Sequence, residues 1–176
     1  MVSLLRFLGL GAGSSTETEP ESLREIGAQL EALPEEEARF TAAFAYLLAR
    51  IAGADLRTEE NEEAEIARHL ERFGGVDAGK AGLLARSAVR AAEAHGASDD
   101  HLVARSFREL ASPKDCLHLL RCLYAVAAAD ETISTLEDNE IFEVARTLGV
   151  ANNDVLVLRS EFREYLGSLK ALPGER

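Results

Sequence analysis

Two pairs of carboxylates share one spacing in this chain: Asp55 with Glu62, and Asp130 with Glu137, each an Asp followed by a Glu seven residues on. Their oxygens are hard ligands of the kind Ca²⁺ and Mg²⁺ take, and a Ca²⁺ site uses about six to eight of them. One pair supplies only two carboxylates, so a site built by the protein needs both pairs to pool their oxygens or to recruit carbonyls and water. The same residues also have a structural reading. Ser134 and Glu137 have the spacing of a capping box, and Asp130, just before that helix start, can accept hydrogen bonds from backbone amides in the turn. Each aspartate would then clamp a helical hairpin with no metal. Both readings are open at this level.

Other chemistry is poorly served. If Asp130 opened an EF-hand loop, Thr135 would stand where the loop needs Gly and Ile141 where it needs the bidentate Glu. The stretch "GGVDAGKA" approaches a phosphate-binding loop, but Ala81 has no hydroxyl for magnesium and a helix pattern precedes it. A helix stop followed by a helix start explains those glycines. His69, His95, His101 and His118 show no His-x-x-x-His spacing, Cys116 and Cys122 form no Cys-x-x-Cys pair, and no serine sits in a nucleophile elbow. The expectation is a non-enzymatic protein, with Ca²⁺ or Mg²⁺ the candidate cofactors and none assigned.

The elements that must position the carboxylates are helices. The composition is that of a soluble globular chain: 176 residues, 47% hydrophobic and 28% charged. With 19 basic against 31 acidic residues the net charge is -12, a field that repels phosphate backbones and argues against nucleic-acid binding. Two cysteines six residues apart on one helix point in different directions, which fits a reduced, cytoplasmic setting. Residues 1–19 read as a short hydrophobic segment, "MVSLLRFLGL", followed by a linker of Gly, Ser and Thr. Arg6 in its middle and the lack of a basic flank argue against a secretory signal. Two uses suit residues 1–10: packing back on the body, or a peripheral contact with a membrane at its inner face or with a protein partner.

Residues 20–176 read as one all-α domain of about eight helices. Pro20 opens a helix to about Ala32, Pro34 a longer one to the region of Asp55, and a third covers about Thr58 to Phe73 before Gly74. Asp77 caps a fourth reaching His95, Ser98 and two aspartates open a fifth, and Ser112, Pro113 and Asp115 start a sixth. Apolar residues nearly encircle that sixth helix, which predicts a central position. A seventh runs from about Thr135 to Leu148 and stops at Gly149. Asn152 or Asn153 caps the last, whose stripe is Val155, Leu158, Phe162, Tyr165, Leu166 and Leu169.

Two of these hairpins match at an offset of 75 residues: Ala54-Asp55 aligns with Ala129-Asp130, Glu62 with Glu137, Glu65-Ile66 with Glu140-Ile141, and Gly74 with Gly149. An "A-x-A-D" after an alanine-rich helix, with Glu seven residues beyond the Asp, resembles the tellurite-resistance TerB family over about Glu35 to Gly167. The hydrophobic N-terminal stretch and polar linker resemble one of its subgroups. The resemblance implies an all-α bundle in two related halves, a stress-response or envelope-associated setting, and a divalent metal at acidic residues: Asp55, Glu62, Asp130 and Glu137. The family usually places Gly directly after the aspartate. This chain has Leu56 and Glu131 there. The alternative is an acidic protein-protein interaction scaffold with no metal.

Overall fold

The computed structural model describes residues 30, 33–53, 60–74, 76–95 and 100–167. Seven helices lie in this part: α1 (Glu35–Ala52), α2 (Glu60–Phe73), α3 (Ala78–His95), α4 (Asp100–Leu110), α5 (Pro113–Ala127), α6 (Thr135–Leu148) and α7 (Asn152–Glu161). The fold is all-α. The only β feature among the described residues is one isolated bridge between Ile133 and Leu166. The helix expected from Pro20 falls almost wholly outside the described residues, as do residues 1–19 and Asp55.

Local chemistry sets most boundaries. Ser112 caps α5 in a capping box with Asp115, whose carboxylate takes the Ser112 amide at 2.8 Å. Asp77 accepts the Lys80 amide at 3.1 Å and starts α3. Gly149 ends α6 in the left-handed region, φ 74° and ψ 24°, where a side chain would be strained. Pro34 stands one position earlier than expected, outside α1 with ψ 144°, and its carbonyl receives the Ala38 amide at 2.9 Å.

The most enclosed element is α1. Every residue from Thr41 to Ala49 is buried, with Ile51 and Ala52 beyond them, and α2, α3, α4, α5 and α6 all pack against this helix. The sixth predicted helix, α5, is buried on most of its faces, but the centre belongs to α1. Its alanines at 38, 42, 43, 45, 49 and 52 explain why, since small side chains let neighbours approach from all sides. Phe40, Phe44 and Phe107 fill the remaining space with ring centroids 4.9 to 6.3 Å apart.

α1 and α5 run in the same direction. The starts of both border one cleft of about 430 Å³, together with the ends of α2 and α4. At the other end Ala129, just past α5, borders a cleft of about 360 Å³ with Asn61, Ala64, Glu65 and Arg68 of α2. The end of α5 and the start of α2 therefore lie at one end of the bundle. The helix bounds keep a common offset there: α1 and α5 end at Ala52 and Ala127, and α2 and α6 start at Glu60 and Thr135, each pair 75 residues apart.

The last helix departs from expectation. It ends at Glu161 rather than near Leu169, and its N-cap is Ala151 with no side-chain cap, not Asn152 or Asn153. Beyond it the backbone turns to meet the α5–α6 connection: the Ile133 amide donates to Tyr165 O at 2.7 Å and the Gly167 amide to Ile133 O at 2.9 Å. Between Glu161 and this bridge the chain runs through turns, with the Tyr165 amide donating to Phe162 O at 2.9 Å, which break the helix. Val155 and Leu158 are buried as expected, while Leu156 and Val157 are exposed.

Ala127 is fully buried where α5 meets its neighbours. Ala127→Leu should overpack that contact and destabilise the fold by about 1 to 3 kcal/mol. Denaturant titration checks this, and an unchanged midpoint would mean the site has room.

Candidate functional site at the turn end of the bundle

The α5–α6 connection is built by short-range hydrogen bonds. α5 stops at Ala127, so Asp130 is not a helix residue; it lies in the following turn, exposed, where its Oδ1 accepts the Thr132 amide at 3.1 Å. The macrodipole penalty expected for an aspartate ending a helix is thus offset by a bond within the turn. Ile133 is buried and anchors the connection to residues 165–167. The capping box then forms as read from sequence: Glu137 Oε2 accepts the Ser134 amide at 2.7 Å, and Ser134 Oγ accepts the Glu137 amide at 3.2 Å.

Glu137 is only 4% exposed, and so is Glu62, the residue at the same place in α2. Of the four predicted ligands, Asp130 and Glu137 share one connection, and each sets a carboxylate oxygen on a backbone amide. Glu62 lies in the first turn of α2 at the same end of the bundle. Asp55 lies outside the described residues. Among the described residues, no group of three or more His, Cys, Asp and Glu side chains is arranged to hold a metal ion. The donors present have the hardness that Ca²⁺ or Mg²⁺ requires; among the described residues they do not reach the number.

Two aspartates that sequence reasoning passed over do more to join helices. Asp138, in the first turn of α6, receives Arg159 of α7 through three hydrogen bonds of 2.8 to 3.0 Å and the Tyr124 hydroxyl of α5 at 3.2 Å. Burial, then the Asp138 charge, pushes the Tyr124 phenol up and keeps it protonated as a donor. Asp100 plays the same part at the start of α4, taking Arg50 Nε at 2.7 and 2.8 Å and the Tyr46 hydroxyl at 3.4 Å. Pairings across 21 and 50 residues leave no local signature, beyond the preference of helix starts for acids.

A second cluster lies where α2 meets α5. The Phe73 ring packs against His69 and, edge-on, against His118 at 3.8 Å between centroids, and Cys122 Sγ is 3.4 Å from His118 Nε2. Glu65 Oε1 approaches His69 Nε2 to 3.0 Å but out of hydrogen-bonding alignment, so neither ring nitrogen is bonded. Burial first, then Arg68, His118 and Arg72, lowers His69 to about 4. Burial likewise raises the Cys122 thiol to about 12, which makes it an inert core group.

The family model described as tellurite resistance protein TerB matches residues 41–160. The chain belongs to the TerB family. The match runs from within α1 into α7 and spans the connections that follow both α1 and α5. No curated protein and no solved structure matches the chain.

The departure from the TerB glycine has a structural consequence. Glu131, which follows Asp130, adopts φ 69°, the left-handed conformation that glycine takes without strain. A residue with a side chain thus holds a left-handed position in this turn. Glu131→Gly should therefore be more stable than Glu131→Ala by about 1 kcal/mol, because both lose the side chain and only Ala bears the left-handed strain. Equal unfolding free energies would contradict this. His69 yields a second prediction. Its folded-state value lies below the ordinary 6.5, so between these values the unfolded chain binds a proton that the folded chain does not. The His69 contribution is complete above pH 6.5 and is lost as pH falls toward about 4. Unfolding free energy measured across this window should fall less steeply in His69→Leu than in the parent.

Proposed function

We propose that this TerB chain is a non-enzymatic helical module that binds a divalent cation, Ca²⁺ or Mg²⁺, at the end of the bundle where its acidic connections lie. The supporting observation is placement. Asp130 lies in the turn after α5, the buried Glu137 in the first turn of α6 that follows it, and the buried Glu62 in the first turn of α2, whose Asn61 and Glu65 share a cleft with Ala129. A cation that draws these carboxylates together would offset the repulsion their approach creates. The oxygens still needed would come from Asp55, from carbonyls and from water. The family's name supports a stress-response setting, at the inner face of the envelope or in the cytoplasm. Among the described residues, no helix is long and apolar enough to cross a membrane.

A second reading is favoured by the amide bonds of Asp130 and Glu137: both are clamps, and the acidic surface is a scaffold for a basic protein partner. Thermal melting with Ca²⁺, Mg²⁺ or chelator, in the parent and in Asp130→Asn, separates the two. On the cation reading the parent gains stability with metal, about 2.7 kcal/mol at a hundredfold excess over Kd, and the variant does not. On the clamp reading Asp130→Asn loses about 1 kcal/mol and all three conditions give the same melting.

A further inference from the structure

The end of the bundle opposite the acidic connections carries a cleft of about 430 Å³ with a different chemistry. Its apolar lining is Leu33, Phe40, Phe73 and Leu110, and Phe73 is 36% exposed, one of the few large apolar side chains open to water among the described residues. Glu36, Glu37 and Asp115 rim it. Arg72 covers part of Phe73, its guanidinium carbon 5.1 Å from the ring centroid, so the ring already accepts a cation. An occupant should therefore have a hydrophobic body and a positive group to meet the glutamates.

The chain's own first ten residues, "MVSLLRFLGL", have that composition: apolar throughout except for Ser3 and one charge, Arg6. We propose that residues 1–10 dock in this cleft of their own chain, with apolar side chains on Phe40 and Phe73 and Arg6 facing Glu36 and Glu37. Connection supports a cis occupant. The chain enters α1 from the buried Leu30 through Leu33, which itself lines the cleft, and the 19 residues from 11 to 29 can span at most about 65 Å. A segment tethered at the mouth of a cleft meets it at an effective concentration in the millimolar range, which a modest intrinsic affinity suffices to exploit. The charges agree, since a basic group within a net field of -12 is drawn to the acidic rim.

Disulfide trapping in the full chain tests this. Gly9→Cys is paired with Glu37→Cys at the cleft or with Arg163→Cys, which is exposed near the opposite end; Cys116 and Cys122 are buried. The expected result is an intramolecular disulfide that forms at least about tenfold faster with Glu37→Cys and slows when Arg6→Glu is added. Equal rates for the two pairs, a disulfide that joins two chains, or no effect of Arg6→Glu would overturn the proposal. Circular dichroism of each variant confirms that it is folded before the rates are compared.

Discussion

The arrangement depends on α1 being covered on every side. A helix can be enclosed in this way only if its neighbours come close without losing contact area, and the alanines of α1 allow that approach. Because α5, with its own small residues, lies beside α1 in the same direction, the end of α5 and the start of α2 lie at one end of the bundle. Asp130, in the turn after α5, and Glu62, in the first turn of α2, are carried at that end for this reason. That placement is a consequence of core packing, and a disturbance in the α1–α5 contact would be felt at this end.

Polar groups then hold the outer helices on this core. Asp100 ties the start of α4 to α1 through Arg50 and Tyr46, and Asp138 ties α6 to α7 and α5 through Arg159 and Tyr124. In each case a carboxylate at a helix start meets a guanidinium and a buried phenol. Partly buried ion pairs of this type add little net stability over apolar packing, but losing one partner leaves a costly unpaired charge. They therefore fix which helix faces which more than they add to the total.

The legible part of the fold was local. Ser112 with Asp115, Ser134 with Glu137, Asp77 before α3 and Gly149 after α6 are bonds or backbone states within a few residues, and each could be read from neighbours in sequence. The illegible part was set at a distance. The last helix ends at Glu161 in turns that lead to the bonds of Tyr165 and Gly167 with Ile133, which no stripe of apolar residues foretells. Central position went to α1 because of what its neighbours cover. The capping role of Glu137 was legible beside Ser134, whereas Asp138, one residue further on, had no signal to mark it as the joint of three helices. Glu131 takes the left-handed turn despite a side chain that gave no hint of it.

The central claim is that the acidic end of the bundle holds a divalent cation. Paramagnetic broadening of backbone amide signals by trace Mn²⁺, which takes the oxygen ligands of Mg²⁺, reads the place directly in the full chain. The account predicts early broadening at Asp130, Glu131 and Thr132 together with Asn61 and Glu62, reversed by excess Mg²⁺ or Ca²⁺. Broadening that begins instead at Glu36 and Glu37, or that spreads evenly over all exposed carboxylates, would contradict it.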